Sequence, residues 1–194
     1  MKKSMWISIL LLWSVAGYAV DTNFEFKGLI LGGITTPSQI TEQLSACPKT
    51  GKPCSDSARA ESDASAVTCG LGANNMQVCN GQTTIAHESA QVNAVIDANG
   101  LLQRVMLTID QSSYEVVRDE LLKKYGKPSS TNETELQNGF GATFAQVDTV
   151  WTRPGGQVLR LLRYGGSTEE STIYFGTKSD VKLLAHDEDR SDDL

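Results

Sequence analysis

The residues of this 194-residue chain best suited to metal or redox chemistry are four cysteines, Cys47, Cys54, Cys69 and Cys79. Zinc knuckles place paired cysteines two to four residues apart, and dithiol redox sites use Cys-x-x-Cys. Here CPKTGKPC separates Cys47 from Cys54 by six residues, and CGLGANNMQVC separates Cys69 from Cys79 by nine. Neither spacing suits a knuckle or a redox pair. Both loops hold Pro, Gly or Asn, which predicts two stapled loops, Cys47–Cys54 and Cys69–Cys79; a cross-pairing such as Cys47–Cys79 satisfies the same cysteine count. Each such closure contributes on the order of 2–3 kcal/mol. The Gly-Ala-Asn-Asn run predicts a tight turn with residues at positive φ. A stapled tip is preorganised, which makes Asn74, Asn75 and Met76 a candidate interface.

Acid–base and nucleotide chemistry find less material. The histidines are His87 and His186. His87 adjoins Glu88, a pairing that could support hydrolysis, but no nucleophile elbow of the form Gly-x-Ser-x-Gly accompanies it. GLGANN and GFGATF begin like phosphate loops and lack the later glycine and lysine. The acidic stretch DEDRSDDL lacks the spacing and glycine of a calcium loop. The sequence therefore predicts no catalytic set, cofactor or metal site, and a binding protein rather than an enzyme. The alternative is a small periplasmic hydrolase or ligand-binding enzyme using His87 and Glu88. Among the aromatic residues, Trp151 beside Arg153, just before Pro154-Gly155-Gly156, reads as a second candidate interface, because aromatics with arginine are common anchors.

The compartment follows from the start of the chain. MKKSMWISILLLWSVAGYAVD has a basic beginning, an apolar run, and Gly17 and Ala19 at the −3 and −1 positions of a cut after Ala19. This is the grammar of a secretory signal peptide, and its apolar run is shorter than the roughly 20 residues a bilayer span needs. The reading is an exported bacterial protein, periplasmic or secreted, with no membrane span after cleavage. Losing Lys2 and Lys3 takes the net charge from −6 to −8. Arg153, Arg160, Arg163 and Lys178 form the densest positive set but lie among apolar strand residues, so no basic stripe points to nucleic acid. The expected partner is another protein of the bacterial envelope.

These residues need elements to position them. FEFKGLI (Phe24–Ile30) reads as a first strand. Thr36 and Pro37 start a helix to about Ala46, with Ile40 and Leu44 on one face. Gln82 to Ala86 reads as a strand. Val92, Ala94 and Ile96 alternate, Asp97-Ala98-Asn99-Gly100 turns, and Leu102, Val105 and Leu107 return, which predicts an antiparallel hairpin. SSYEVVRDELLKKYGKP predicts a helix with a capping box from Ser112 to Glu115, an apolar face of Val116, Val117, Leu121, Leu122 and Tyr125, and a left-handed cap at Gly126. SSTNETELQNGFGATF reads as loop. Val147–Thr152, Gln157–Tyr164 and Ser171–Gly176 read as a three-strand meander. The predicted fold class is α+β: a mainly antiparallel sheet, hairpin plus C-terminal three-strand meander, with two main helices packed on it. The predicted organisation is a signal peptide over 1–19, one domain over 20–186 with a Cys-rich insertion at about 47–79, and an acidic tail over 187–194.

FKGLILGGITTPSQITEQL, followed by V-x-x-V-I-D-x-N-G-L, resembles small exported α+β domains of the SmpA/BamE-like and β-lactamase-inhibitor-protein types. Gly28, Gly32, Thr36, Pro37, Asn99 and Gly100 carry the resemblance, with Leu121 to Pro128 recurring in exported bacterial proteins. It implies a protein-binding scaffold without catalysis. The chain departs from the lipoprotein members in having no cysteine at the cleavage junction.

Overall fold

The computed structural model describes residues 23–45, 66–137 and 141–181. The expected signal peptide, Cys47 and Cys54 with their expected pairing, His186 and the acidic tail lie outside the described residues.

FEFKGLI is not one strand. Lys27 and Gly28 both take positive φ, at 50° and 81°. That pair makes the primed turn that suits a two-residue hairpin, so Glu25–Phe26 (β1) folds back on Leu29–Ile30 (β2). The first helix, α1, spans Pro37–Leu44. Thr36 and Gln39 cap each other reciprocally, and Ile40 and Leu44 are buried as their spacing predicts. Asp97 Oδ1 accepts from the Asn99 and Leu101 amides, both at 2.9 Å, and closes the turn between the predicted hairpin strands.

Eight strands form the main sheet: β3 (Thr68–Leu71), β4 (Gln77–Ile85), β5 (Glu88–Ile96), β6 (Leu102–Asp110), β7 (Ser130–Gln137), β8 (Thr143–Thr152), β9 (Val158–Leu162) and β10 (Glu170–Gly176). Their order is β3-β4-β5-β6-β10-β9-β8-β7, antiparallel throughout. Two four-strand meanders therefore meet where β6 pairs with β10. The second helix, α2, spans Tyr114–Tyr125 and carries the chain from the central β6 towards the far edge at β7.

The α+β expectation is overturned: strands dominate, as one eight-stranded and one two-stranded sheet with two main helices. Two segments account for the difference. The stretch read as loop is β7 and the start of β8, so the C-terminal meander has four strands rather than three. The Cys69–Cys79 segment is itself a hairpin that joins the sheet. The helix start also differs. Ser112 Oγ bonds Asp110, Asp110 caps a short 3-10 turn at Gln111–Ser113, and α2 begins after it without a capping box.

Both helices lie on one face of the sheet. Strand alternation puts Ala90, Val92, Ala94, Val105, Leu107, Ile109, Leu159, Leu161, Ile173 and Phe175 on that face. There they bury against Ile40 and Leu44 of α1, Val117 and Leu121 of α2, and Phe24 and Phe26 of the small hairpin. Gly81 is required at its place in β4, because a Cβ there would stand 2.6 Å from Val67 Cα. Its absence lets the incoming chain lie directly on the sheet. No helix of the described residues is long and apolar enough to cross a membrane.

Candidate functional site: an uncovered sheet face and a cleft beside α2

Cys69 and Cys79 face each other across β3 and β4 and are disulfide-bonded. Cys79 is fully buried, and Cys69 Sγ lies 3.6 Å from the Pro37 carbonyl oxygen, so the bridge ties the edge hairpin down beside α1. Beyond it, Gly72 N donates to Met76 O at 2.7 Å. Asn74 and Asn75 take positive φ, 55° and 58°, as their composition predicts, and both are exposed. Met76 is half-buried, while Leu71 next to this tip is 71% exposed.

Trp151 is not a surface anchor. It is 3% exposed, and its indole Nε1 donates to the Gly126 carbonyl at 2.9 Å, locking β8 to the end of α2. Arg153 also turns inward, with its guanidinium 4.9 Å from the Phe24 ring centroid. His87 is exposed in the Ala86-His87 turn between β4 and β5, both residues at positive φ, while Ala86 packs partly against the core. Glu88 accepts from Ser113 Oγ at 2.7 Å. These two side chains are thus committed to a hairpin tip and to the helix start. Among the described residues no group of three or more His, Cys, Asp or Glu is placed to hold a metal ion.

Two features that sequence reasoning missed stand out instead. The first is the sheet face opposite the helices, over which neither main helix lies; near its centre the helical turn after β10 covers Tyr174, whose hydroxyl donates to Asp180, and Asp180 also pairs with Arg104. Register aligns Asn80, Asn93, Met106, Tyr174, Arg160 and Val150 in one row across six strands. A flanking row brings Thr172, Leu162 and Asp148 together. Asn93 Nδ2 donates to Asn80 at 2.8 Å, and Arg160 clamps Asp148 through two bonds at 2.9 and 2.8 Å. Between these polar fixtures lie Val78, Met106, Val150, Val158 and Leu162, all half-buried. Antiparallel sheets with one wet face ordinarily show polar residues there. The period-2 alternation held this signal, but it becomes visible only once the register shows which apolar residues share a face.

The second feature is a cleft of about 350 Å³ on the helix side, between α2 and strands β7 to β9. Tyr114 and Arg163 line it together with Thr149, Leu122 and Val147, and Glu115 and Glu133 stand among its acidic members. Tyr114 is 1% exposed, and burial pushes its phenol above the ordinary range. Its hydroxyl lies beside the Thr149 side chain, outside strict hydrogen-bonding geometry, and Arg163 Nε is buried without a partner. The Arg163 guanidinium lies 5.6 Å from the ring centroids of both Tyr114 and Tyr164. Arg118, by contrast, is neutralised by Glu115 and Asp119.

Compared with family models, with curated proteins and with solved structures, the chain matches none.

Proposed function

We propose that this chain is an exported, non-catalytic protein of the bacterial envelope or its surroundings that binds another protein through the uncovered face of its eight-stranded sheet, as an inhibitor or assembly factor. The carrying observation is the row Asn93, Met106, Arg160 and Val150, interrupted by the buried Tyr174 and flanked by the half-buried Val158 and Leu162. Apolar side chains held flat on a rigid sheet among hydrogen-bonding ones suit a protein–protein contact, where Met and Arg are enriched and polar groups form the rim. A single small ligand would be served by a concavity instead. A hydrolase built on His87 and Glu88 gains no support from their placement at an exposed tip and in a bond to Ser113.

The test is capture from an envelope extract with the wild-type chain and with Met106→Arg, Leu162→Arg and, as a control on the exposed side of α2 on the other face of the sheet, Val116→Arg. One partner held by wild type and by Val116→Arg, and lost by at least tenfold from both face variants, supports the reading. Equal capture by all four chains overturns it. A wild-type dimer in sedimentation velocity that Met106→Arg dissolves overturns it too, because the face would then be closed by a second copy.

A further inference from the structure

From the opposite side of the sheet, and independently of the docking face, we infer that the cleft between α2 and strands β7 to β9 is a binding site for a monocarboxylate with an apolar body, read by Tyr114 and Arg163. Three observations converge. Buried polar groups in folded proteins almost always have partners. Here two donors lining one cleft, Tyr114 Oη–H and Arg163 Nε–H, have none at bonding geometry among the described residues. Arg163 Nε–H can only donate and so needs an acceptor, which the phenol can donate to as well; Arg163 has no ion-pair partner among the described residues to supply one. A carboxylate offers two oxygens to a guanidinium and a phenol at once.

The rest of the cleft narrows the ligand class. Leu122, Pro128, Ala145 and Val147 give it an apolar wall. Glu115 and Glu133 add negative charge. That wall favours a carbon body, and the acids disfavour a dianion such as phosphate, because like charges at short range raise the cost of binding. The volume, about 350 Å³, falls in the range of small-ligand sites. The same chemistry could arrive as a free organic acid or as the C-terminal residue of a peptide.

The Arg163 side-chain Nε–H gives a direct readout. The chain, with its Cys69–Cys79 disulfide intact, would be ¹⁵N-labelled and titrated in two arms. One uses 4-methylpentanoate against 4-methylpentanamide; the other uses N-acetyl-Ala-Ala-Leu as free acid against its C-terminal amide. A saturable shift of the Arg163 Nε–H resonance with an acid but not with its amide supports the site, and the arm that saturates at lower concentration identifies the source. Tyr114→Phe removes a hydroxyl that Thr149 approaches only outside strict bonding geometry, so it should fold and melt close to wild type while binding the acid about tenfold more weakly. Arg163→Gln should abolish the discrimination between acid and amide. The inference is overturned if neither acid saturates the shift, if acid and amide bind alike, or if Tyr114→Phe binds the acid as tightly as wild type.

Discussion

Tyr174 shows how one side chain ties chemistry to stability. Its hydroxyl donates to Asp180 Oδ2 at 2.5 Å. Burial first, and the Asp180 carboxylate second, drive its phenol far above the ordinary range. Unfolded, the same phenol titrates near pH 10. The folded state thus keeps a proton that the unfolded chain gives up. By linkage this stabilisation is complete below pH 10 and lost progressively as pH rises above it. Chemical denaturation between pH 8 and 11.5 should show a steep loss for wild type and a shallower one for Tyr174→Phe. At pH 8 the variant should already be weaker by about 1–3 kcal/mol, since Asp180 loses its donor. Other residues were legible only in part. Trp151 has the composition of an anchor, yet Val147, Thr149 and Trp151 alternate with Asp148, Val150 and Thr152, and that alternation is what turns the indole inward. Tyr114 and Arg163 lie 49 positions apart in sequence and carry no spacing signal. Only the packing of α2 across β9 brings them together.

Elements with a strong local code were readable from the sequence. Thr36, Pro37, Ile40 and Leu44 specify α1 through cap and spacing, and Asp97 to Gly100 specify a turn whose side-chain bonds do form. Strands without an apolar stripe were not. Every residue of β7, STNETELQ, is exposed, so no hydrophobic period marks it. In β4, the residues on the core side include Cys79, Gly81 and Thr83, too small to read as a buried stripe. What secures this end is covalent. The bridge between β3 and β4 closes an eleven-residue loop, with sequence separation 10. Reduction should cost on the order of 2–3 kcal/mol. Because Cys79 is fully buried, alkylation of the pair under reductant should be slow in the native state and fast in denaturant. Peptide mapping across a denaturant series checks both points, and equal rates in both conditions would contradict the packing described.

At the scale of the molecule, the sheet order places the latest strand, β10, at the centre beside β6, and the strand that follows α2 at an edge. No local reading of propensity yields that order, because pairing Asp110 with Glu170 depends on two meanders closing against each other. The central pair is also the best covered, with Leu107, Ile109, Ile173 and Phe175 all buried. Native-state hydrogen exchange should therefore be slowest in β6 and β10, approaching global unfolding, and fastest in β7. An exchange map in which β7 is as protected as β10 would contradict an open edge there.

That edge also governs how the molecule behaves in a crowd. A sheet that stops at an unpaired strand can recruit another copy of itself, and repetition of that event leads to insoluble fibres. The strand β7 carries Glu133 and Glu135 on either side of Thr134. If two copies met antiparallel about Thr134, each Glu133 would face the other's Glu135, a pairing that destabilises a ladder. The polar sequence that hid this strand from view thus also opposes edge-to-edge pairing, and replacing those two carboxylates with amides would remove the repulsion at the edge of the described sheet.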